Sequence, residues 1–412
     1  MSRSVLVLGA GMVGTCTALH LQRRGFEVVL ADRRAPGLET SFGNAGLIQR
    51  ESVEPYPFPR EAGHLFDAAL RRGTDVHWHL RGLLQMASPL LGYWRHSRPA
   101  AHARATQAYA RLIAHAITEH APLIAAAKAD DLIRHEGFRF VFRSARALDE
   151  GARRARRLED TFGVRHRLEN AAALAHAEPA LHSGLAGAVH WLDPWSVSDP
   201  GALVQRYAKL FEAEGGRLIE ADAMTLHGSG SGWSLQTAAG RIDAAHAVVA
   251  LGPWSDALVR RLGYRMPLFI KRGYHQHYPT AARLRDPLLD AEFGYVLAPM
   301  RRGLRLTTGA ELAPIDAAPT PVQVERAERK ARDLLELGDA LTEPPWLGAR
   351  PCTADMLPVM GPAPRHPGLW FNFGHSHQGF TLGPVAGRLV ASMIAGEALA
   401  IDPVPYAPTR FS

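Results

Sequence analysis

A glycine-rich turn near the start of the chain constrains the fold more than any other feature. Residues 4–8 are almost all Val or Leu, as in a buried parallel strand, and residues 9–14 follow with the spacing Gly-x-Gly-x-x-Gly. A helix is predicted over 15–24 and a second strand over 26–31, which leads directly into Asp32. This order predicts a Rossmann-like α/β domain in which the helix N-terminus faces the pyrophosphate of a dinucleotide.

Three features bear on which dinucleotide this turn binds. The Asp32 carboxylate can accept hydrogen bonds from the adenosine ribose and would repel a 2′-phosphate, which disfavours NADP, although Arg33 and Arg34 weaken that exclusion. Residues 39–48 stand where a NAD-binding fold would usually continue into another βα unit, and their small residues suit a segment lying against a flavin ring. A second glycine-rich strand-to-helix junction, over 369–394, can direct another helix dipole at the same cofactor. Together these features favour FAD.

A series of motifs runs in order from the first strand to the last helix. It comprises residues 5–14, 38–46, 178–181, 271–275, 346–351, 355–361 and 374–384. Gly-x-Arg-Pro, then Leu-Pro-Val-x-Gly, then Gly-His-x-x-x-Gly-x-Thr-Leu form a specific combination. With these motifs the chain resembles the D-amino-acid oxidase superfamily of flavoproteins, and most closely its bacterial D-amino acid dehydrogenase small-subunit branch.

The glycine turn and the resemblance together predict which residues hold FAD. We expect noncovalent binding, because the sequence around Cys352 does not match relatives that tether FAD through a cysteine. The expected cofactor-binding residues are Gly9, Ala10, Gly11, Met12, Val13, Gly14, Asp32, Arg33, Arg34, Thr40, Ser41, Asn44, Ala45, Gly46, Leu47, Ala223, Gly252, Gly374, His375, Gly379, Phe380 and Thr381.

To oxidise an α-amino acid at a flavin, an enzyme must fix the substrate carboxylate and aim the Cα–H at N5. A planar guanidinium binds a carboxylate in bidentate fashion, and the resemblance assigns this role to Arg350, for which a domain-interface ion pair is the alternative. The resemblance also implies that His375 contacts the flavin or the substrate, whereas tyrosines 274 and 295 and His275 could instead pack within the sheet. The expected catalytic residues are Arg350, Tyr274, His275 and His375, and the expected substrate-binding residues are Arg350, Tyr274, Tyr295, His377 and Gln378.

The segments between the nucleotide-binding motifs differ from them in character. Residues 60–130 and 152–160 are predicted to be helical, as are residues 201–214 after an Asp199 N-cap, and alternating strands are predicted over 265–278 and 294–312. We therefore expect an α+β substrate domain with an antiparallel sheet, interleaved with the nucleotide domain, and an active site between the two. The expected boundaries are 1–55, 195–262 and 345–412 for the FAD-binding domain, and 56–194 and 263–344 for the substrate-binding domain.

Composition argues against several other classes of protein. Cys16 and Cys352 are the only cysteines, too few for a disulfide framework, and this fits a reducing compartment. Histidine pairs at 275/277 and 375/377 lack an evident third ligand, so we expect no metal. The net charge of +7 comes mainly from scattered arginines, which disfavours nucleic-acid binding.

These inferences predict an FAD-dependent dehydrogenase or oxidase of small D-amino acids, with D-proline and hydroxy-D-proline left open. A hydride would pass from the substrate Cα to flavin N5, and the resemblance implies that the electrons continue to a respiratory-chain acceptor. The alternatives are an oxidase of glycine or N-methyl amino acids that uses oxygen, and a non-catalytic flavoprotein partner. We expect a cytoplasmic location, with at most a peripheral contact at the inner face of the cell membrane.

Overall fold

The computed structural model describes residues 3–411, apart from 61–62, 64–73, 75, 231, 280–283 and 342–343. Helices are predicted over 60–130, and residues 61–62, 64–73 and 75 of that stretch lie outside the described residues. The strands, in chain order, are β1 (Ser4–Leu8), β2 (Glu27–Asp32), β3 (Leu47–Ile48), β4 (Val76–Trp78), β5 (Ile133–Arg134), β6 (Phe138–Phe142), β7 (His166–Asn170), β8 (Gly187–Trp191), β9 (Trp195–Val197), β10 (Arg217–Glu220), β11 (His227–Ser229), β12 (Gly232–Thr237), β13 (Gly240–Ala244), β14 (His246–Val249), β15 (Leu268–Tyr278), β16 (Leu288–Asp290), β17 (Tyr295–Met300), β18 (Gly303–Thr307), β19 (Ala310–Leu312), β20 (Trp346–Thr353), β21 (Val359–Pro362) and β22 (Leu369–Phe373). The α-helices are α1 (Met12–Gln22), α2 (Leu80–Gln85), α3 (Ala87–His96), α4 (Pro99–Ala114), α5 (Ala116–Ala126), α6 (Ala145–Phe162), α7 (Ala171–Ala177), α8 (Pro200–Ala213), α9 (Ser255–Arg261), α10 (Val322–Arg332) and α11 (Gly379–Ala395).

A six-stranded sheet carries the glycine-rich turn. Its strands lie in the order β10-β2-β1-β14-β22-β21, and all neighbours are parallel except β21, which is antiparallel to β22. Helices cover it, so β1 is buried almost throughout, as the continuous apolar run predicted. Gly9, Gly252 and Gly374 closely follow the carboxyl ends of β1, β14 and β22, where ligands bind in open α/β sheets. The predicted α/β class and Rossmann-like arrangement are confirmed.

A ten-stranded mixed sheet forms the second layer. Its order is β4-β19-β15-β18-β17-β16-β6-β8-β7, and β20 also pairs with β15. Most neighbours are antiparallel, as predicted, but β4 is parallel to β19 and β16 to β6. In the long β15–β20 pair, Lys271 lies directly opposite Arg350 and Gly273 opposite Gly348. This register places cationic side chains from both strands on one face of the sheet.

Two segments lie in a different layer from the one predicted. Helices α4 and α5, assigned by sequence to the substrate domain, share a core with α1 and α11 above the nucleotide sheet. The His120 ring of α5 lies 3.0 Å from the Phe380 carbonyl and 3.2 Å from the Tyr207 hydroxyl. Strand β20, assigned to the FAD-binding domain, instead pairs with β15. An apolar face in the sequence shows that a helix or strand is buried, but it does not show which sheet the element packs against. The domain boundaries themselves remain a prediction.

Arg139 of β6 lies at the centre of a buried ion cluster. Its guanidinium contacts Glu169 at 2.9 Å, Glu178 at 3.2 Å and also Asp286. All four side chains are at most 8% exposed, and the exposed Arg167 also pairs with Glu169 at 2.9 Å, so Arg139 is the buried cation that three carboxylates share. These ion pairs connect β6 with β7 and with the loop before β16.

Replacing Arg139 by methionine is expected to lower the free energy of unfolding by ~3–5 kcal/mol, because the carboxylates would remain buried without their cation. The measurement is urea unfolding followed by circular dichroism. Arg146→Met is the matched control, since Arg146 is 91% exposed and, among the described residues, forms an ion pair only with Glu150 one helical turn away. We expect a change of ~0.5 kcal/mol or less for this control. Equal effects of the two substitutions would contradict the assignment.

Candidate active site

A cleft of about 1200 Å³ lies between the two large sheets. The turn after β1, the segment after β2, strands β15 and β20, and the loop before α11 form its walls. The predicted site residues that line it are Gly9, Ala10, Gly11, Met12, Val13, Asp32, Arg33, Thr40, Ser41, Asn44, Ala45, Leu47, Ala223, Gly252, Tyr274, Arg350, Gly374, His375, His377, Gly379 and Phe380. The predicted residues that do not line it are Gly14, Arg34, Gly46, His275, Tyr295, Gln378 and Thr381.

The three glycines of the turn are required for different reasons. Gly9 has a φ of +107°, and a Cβ there would lie 2.4 Å from the Ala250 carbonyl oxygen. A Cβ on Gly14 would lie 1.8 Å from the Gly9 carbonyl oxygen. Gly11 is different: its backbone is ordinary extended chain, and a Cβ would meet only the Ser41 hydroxyl, at 3.4 Å. The protein itself therefore needs Gly9 and Gly14, whereas the room above Gly11 is left for a ligand that approaches the backbone.

The Asp32 carboxylate is fixed at the end of β2 by backbone donors. The Ala10 N–H donates to Oδ2 at 2.7 Å, and the Arg34 N–H donates to Oδ1 at 3.0 Å. Arg34 also pairs with Glu39 at 3.0 Å, while the Arg33 guanidinium stacks over Trp254 at 4.7 Å. The acid predicted to meet a ribose therefore lines the cleft, and of the two arginines beside it only Arg33 does so.

The segment after β2 is held by α1 and by two strands of the mixed sheet. Ser41 Oγ accepts a hydrogen bond from the Met12 N–H at 3.1 Å, and Thr40 Oγ1 donates to the Ala349 carbonyl of β20 at 2.9 Å. Arg305 of β18 donates to the carbonyls of Phe42, at 2.9 Å, and Asn44, at 2.5 Å. Burial lowers the pKa of Arg305 to about 10, and it remains a cation at neutral pH. These bonds fix the segment between the start of α1 and the mixed sheet, at the wall of the cleft.

These residues fit an FAD molecule. The cleft runs from the turn after β1 to the mixed sheet, and Gly11 and the first two residues of α1, Met12 and Val13, line it. Gly379, the first residue of α11, also lines it, so two helix N-termini border one elongated cavity. Such a cavity suits a long ligand with a pyrophosphate in its middle and a ring that gains negative charge on reduction.

Arg350 of β20 lines the cleft without a carboxylate partner among the described residues. Its Nη1 donates to the Gly309 carbonyl at 2.9 Å and its Nη2 to the Thr308 carbonyl at 3.3 Å. The guanidinium lies over Gly273, where a Cβ would be 2.4 Å from Nη2. Burial lowers the pKa of Arg350 from its ordinary value, yet nothing in the described part neutralises its charge. The ion pair considered as an alternative role is absent there, and the side chain is available to an anionic ligand.

Two histidines from the loop before α11 also line the cleft. The Nε2 atoms of His375 and His377 are buried and have no hydrogen-bond partner in the described structure. Burial lowers the pKa of His375 to about 3. Burial, and then the charges of Arg350 and Lys271, lower the pKa of His377 to about 3. Both imidazoles are therefore neutral at pH 7, and each is too weak a base to take up a proton efficiently there.

Four of the expected catalytic or substrate-binding side chains contact other protein groups. Tyr274 is at the wall of the cleft, and its hydroxyl donates to Glu311 at 3.0 Å and accepts from the Thr320 N–H at 2.7 Å. Trp346 stacks on the His275 ring at 4.8 Å and separates it from the cleft. Tyr295 bonds Arg143 at 3.3 Å, and Gln378 bonds Gln49 at 2.5 Å and Ser52 at 2.9 Å. His275, Tyr295 and Gln378 therefore lie outside the wall of the cleft, whereas the role of Tyr274, which lines it, stays a prediction.

Other lining residues carried no predicted role. In the sequence, Lys271 and Trp346 belong to two of the family motifs without an assigned role, and no motif includes Tyr56. Trp346 covers Gly43 and Gly348, where a Cβ would lie 1.8 or 2.0 Å from its ring. Lys271 is one of only four lysines among the 47 lysine and arginine residues of the chain. This rarity is the sequence signal that singles Lys271 out.

The described residues contain one group with metal-ligand chemistry, formed by His77, His79 and Glu311 within 4.8 Å of one another. Glu311 is already bound, because its carboxylate pairs with Arg272 at 2.5 Å and accepts the Tyr274 hydroxyl. This arrangement is that of a buried ion network, and the absence of a metal stays a prediction. None of the helices in the described ranges is both long and apolar enough to cross a bilayer.

Comparison with known proteins agrees with this geometry. The family model described as DAO, FAD dependent oxidoreductase, matches residues 4–393. A D-amino-acid oxidase of Bradyrhizobium diazoefficiens is 31% identical and a D-amino acid dehydrogenase of Chromohalobacter salexigens 29% identical, each over 99% of both chains. The crystal structure of glycine oxidase from Geobacillus kaustophilus has a TM-score of 0.72, at 22% identity over 98% of both chains. The resemblance is confirmed, and the chain belongs to the DAO family of FAD-dependent oxidoreductases.

Proposed function

We propose that this enzyme oxidises small D-amino acids at an FAD bound noncovalently in the cleft, and passes the electrons to a respiratory-chain acceptor. The observation that carries the proposal is Arg350, a buried cation that lines the cleft without a counterion in the described structure. Relatives at about 30% identity are named D-amino acid dehydrogenase or D-amino-acid oxidase, which supports the D-configuration. A non-catalytic flavoprotein would have no use for such an arginine.

In this proposal the protein supplies position and charge. Arg350 binds the α-carboxylate through a bidentate pair and so fixes the orientation of Cα. Each neutral imidazole of His375 and His377 can accept a hydrogen bond from the substrate amine, which must be unprotonated before the reaction. FAD, when bound, supplies the acceptor for the hydride from Cα, and the imino acid formed then hydrolyses or, from D-proline, persists as a cyclic imine.

The residues that hold FAD follow from the walls of the cleft. The N–H groups at the start of α1 meet the pyrophosphate above Gly11, and Asp32 meets the adenosine ribose. The segment 40–47, fixed by Arg305, lies against the ring, and the N-terminus of α11 favours negative charge there.

Anaerobic reduction of the bound flavin tests the reaction. The purified protein is expected to show a flavin spectrum that bleaches with D-amino acids, D-proline among them, and not with the L-enantiomers. Bleaching by the L-series alone would reverse the stereochemical assignment, and no bleaching by any amino acid would remove the proposed function. Reoxidation of the reduced enzyme by a soluble quinone faster than by oxygen is the result expected for a respiratory-chain acceptor.

Peripheral contact with the inner face of the cell membrane is part of the same proposal and has its own test. The basic surface is expected to bind vesicles that contain anionic lipid at low salt and to release them at high salt. Recovery of equal amounts of protein with neutral and with anionic vesicles would contradict the proposed membrane contact.

A further inference from the structure

We propose that the preferred substrate carries a second anionic group, bound by Lys271, so that this enzyme acts on acidic D-amino acids. This inference rests on the proposed function, because it assigns Arg350 to the α-carboxylate. It concerns the side-chain end of the same cleft.

The first observation is the pairing of two like charges. Lys271 of β15 lies directly opposite Arg350 of β20 in an antiparallel pair, and both residues line the cleft. Like charges placed opposite each other on neighbouring strands destabilise a sheet. The charges of these two residues also act together on His377, which places all three in one electrostatic neighbourhood. Bound anions would remove the repulsion between the two positive charges.

The second observation is that no protein group supplies this compensation. Neither Lys271 nor Arg350 pairs with a carboxylate anywhere in the described residues. The Lys271 ammonium donates one hydrogen bond to the Tyr93 hydroxyl, at 3.1 Å, and lies 4.5 Å from the centre of that ring. An ammonium has three donors, so contacts with one neutral residue leave both charge and hydrogen-bonding capacity for a ligand.

The third observation is that the two cationic groups lie beside different residues of β15. The Arg350 guanidinium lies over Gly273, whereas the Lys271 ammonium lies 5.5 Å from the ring centre of Phe269. A carboxylate that pairs with Arg350 compensates one positive charge, and a second anionic group at Lys271 would compensate the other.

The number of uncompensated charges favours one class of substrate. An acidic D-amino acid carries an α-carboxylate for Arg350 and a side-chain carboxylate for Lys271. A small cavity of about 20 Å³ beside Lys271 and His377 leaves additional room for a water molecule at the ammonium end.

The experiment compares D-glutamate with D-glutamine, which has the same shape without the second charge. The wild-type holoenzyme is expected to reduce its flavin with D-glutamate at a kcat/KM about 10- to 100-fold above that for D-glutamine, as a charge-assisted hydrogen bond implies. Lys271→Met should bring the ratio of the two kcat/KM values close to one, and Lys271→Arg should restore part of the preference for D-glutamate. Flavin content of each variant shows that the cleft has folded.

A binding measurement gives a readout apart from turnover. Glutarate and butyrate are titrated into the oxidised holoenzyme, and the perturbation of the flavin spectrum is followed. Glutarate is expected to bind about 10-fold or more tightly than butyrate to the wild type and equally weakly to Lys271→Met.

The outcomes separate this inference from the function on which it rests. Equal kcat/KM for D-glutamate and D-glutamine, or a loss of both to the same extent in Lys271→Met, would overturn the inference and leave the oxidation of D-amino acids standing. Failure of every amino acid to reduce the flavin would remove the proposed function, and the glutarate titration would still decide whether Lys271 binds a second carboxylate.

Discussion

Valine in place of Gly11 is expected to give a folded protein that has lost FAD and, with it, all activity. The backbone at this residue needs no glycine, and a Cβ there would meet only a side-chain hydroxyl, at 3.4 Å. The fold should therefore tolerate the change, whereas the added methyl groups would occupy the space in which the pyrophosphate approaches the helix N-terminus. We expect FAD affinity to fall by about 100-fold or more. Flavin absorbance relative to protein absorbance measures the effect directly.

Two other glycines provide controls for this prediction. Gly228 of β11 has open space on its Cβ side, so Gly228→Val should leave both folding and FAD content unchanged. Gly14→Ala should instead impair folding itself, since its Cβ would lie 1.8 Å from a backbone oxygen. Full FAD occupancy in Gly11→Val would show that the pyrophosphate does not pass over this turn.

Arg350 is the residue whose substitution should affect catalysis most without affecting the cofactor. Arg350→Lys keeps the charge but loses the bidentate fork, and we expect it to raise KM far more than it changes FAD binding. Arg350→Met removes the charge as well, and kcat/KM should fall about 100- to 1,000-fold, the value of one or two charge-assisted hydrogen bonds. Steady-state kinetics and flavin titration of each variant measure the two effects separately.

Arg260→Lys is the matched control, because Arg260 is an exposed residue of α9 that pairs with Asp256 within the same helix. Its kinetics and its FAD content should equal those of the wild type. Parallel loss of flavin and activity in the Arg350 variants would assign Arg350 a structural role instead of carboxylate binding.

Local patterns predict how the residues of the glycine turn lie relative to the acid after β2. Gly9, Gly14 and Asp32 depend on one another within a single strand–turn–helix–strand unit, so their sequence spacing fixes their arrangement. The same is true of Asp199, whose side chain accepts a hydrogen bond from the Ala202 N–H at 2.9 Å. It is the N-cap of α8, as predicted, and the helix predicted over 201–214 spans Pro200–Ala213.

The positions of the predicted substrate-binding side chains depend on which strands are neighbours in the mixed sheet. Local sequence patterns carry little information about strand order. His275 belongs to a correctly predicted strand, yet Trp346 from another strand covers its ring. Tyr274 is turned to Glu311 and Thr320, which become neighbours only when β15 pairs with β19. The opposition of Lys271 and Arg350 likewise arises from the register of β15 and β20, which no local pattern reveals.

The strand order of the nucleotide sheet also makes capture of the cofactor depend on segments that are far apart along the chain. β1 pairs with β2, which follows it closely, but β1 also pairs with β14, and β14 pairs with β22, much later in the sequence. Contacts so distant along the chain form slowly, and until they form the apolar β1 remains exposed and prone to aggregation. Because α11 follows β22 and borders the same cleft as the turn after β1, we expect FAD to be captured only after these distant segments have joined in one sheet.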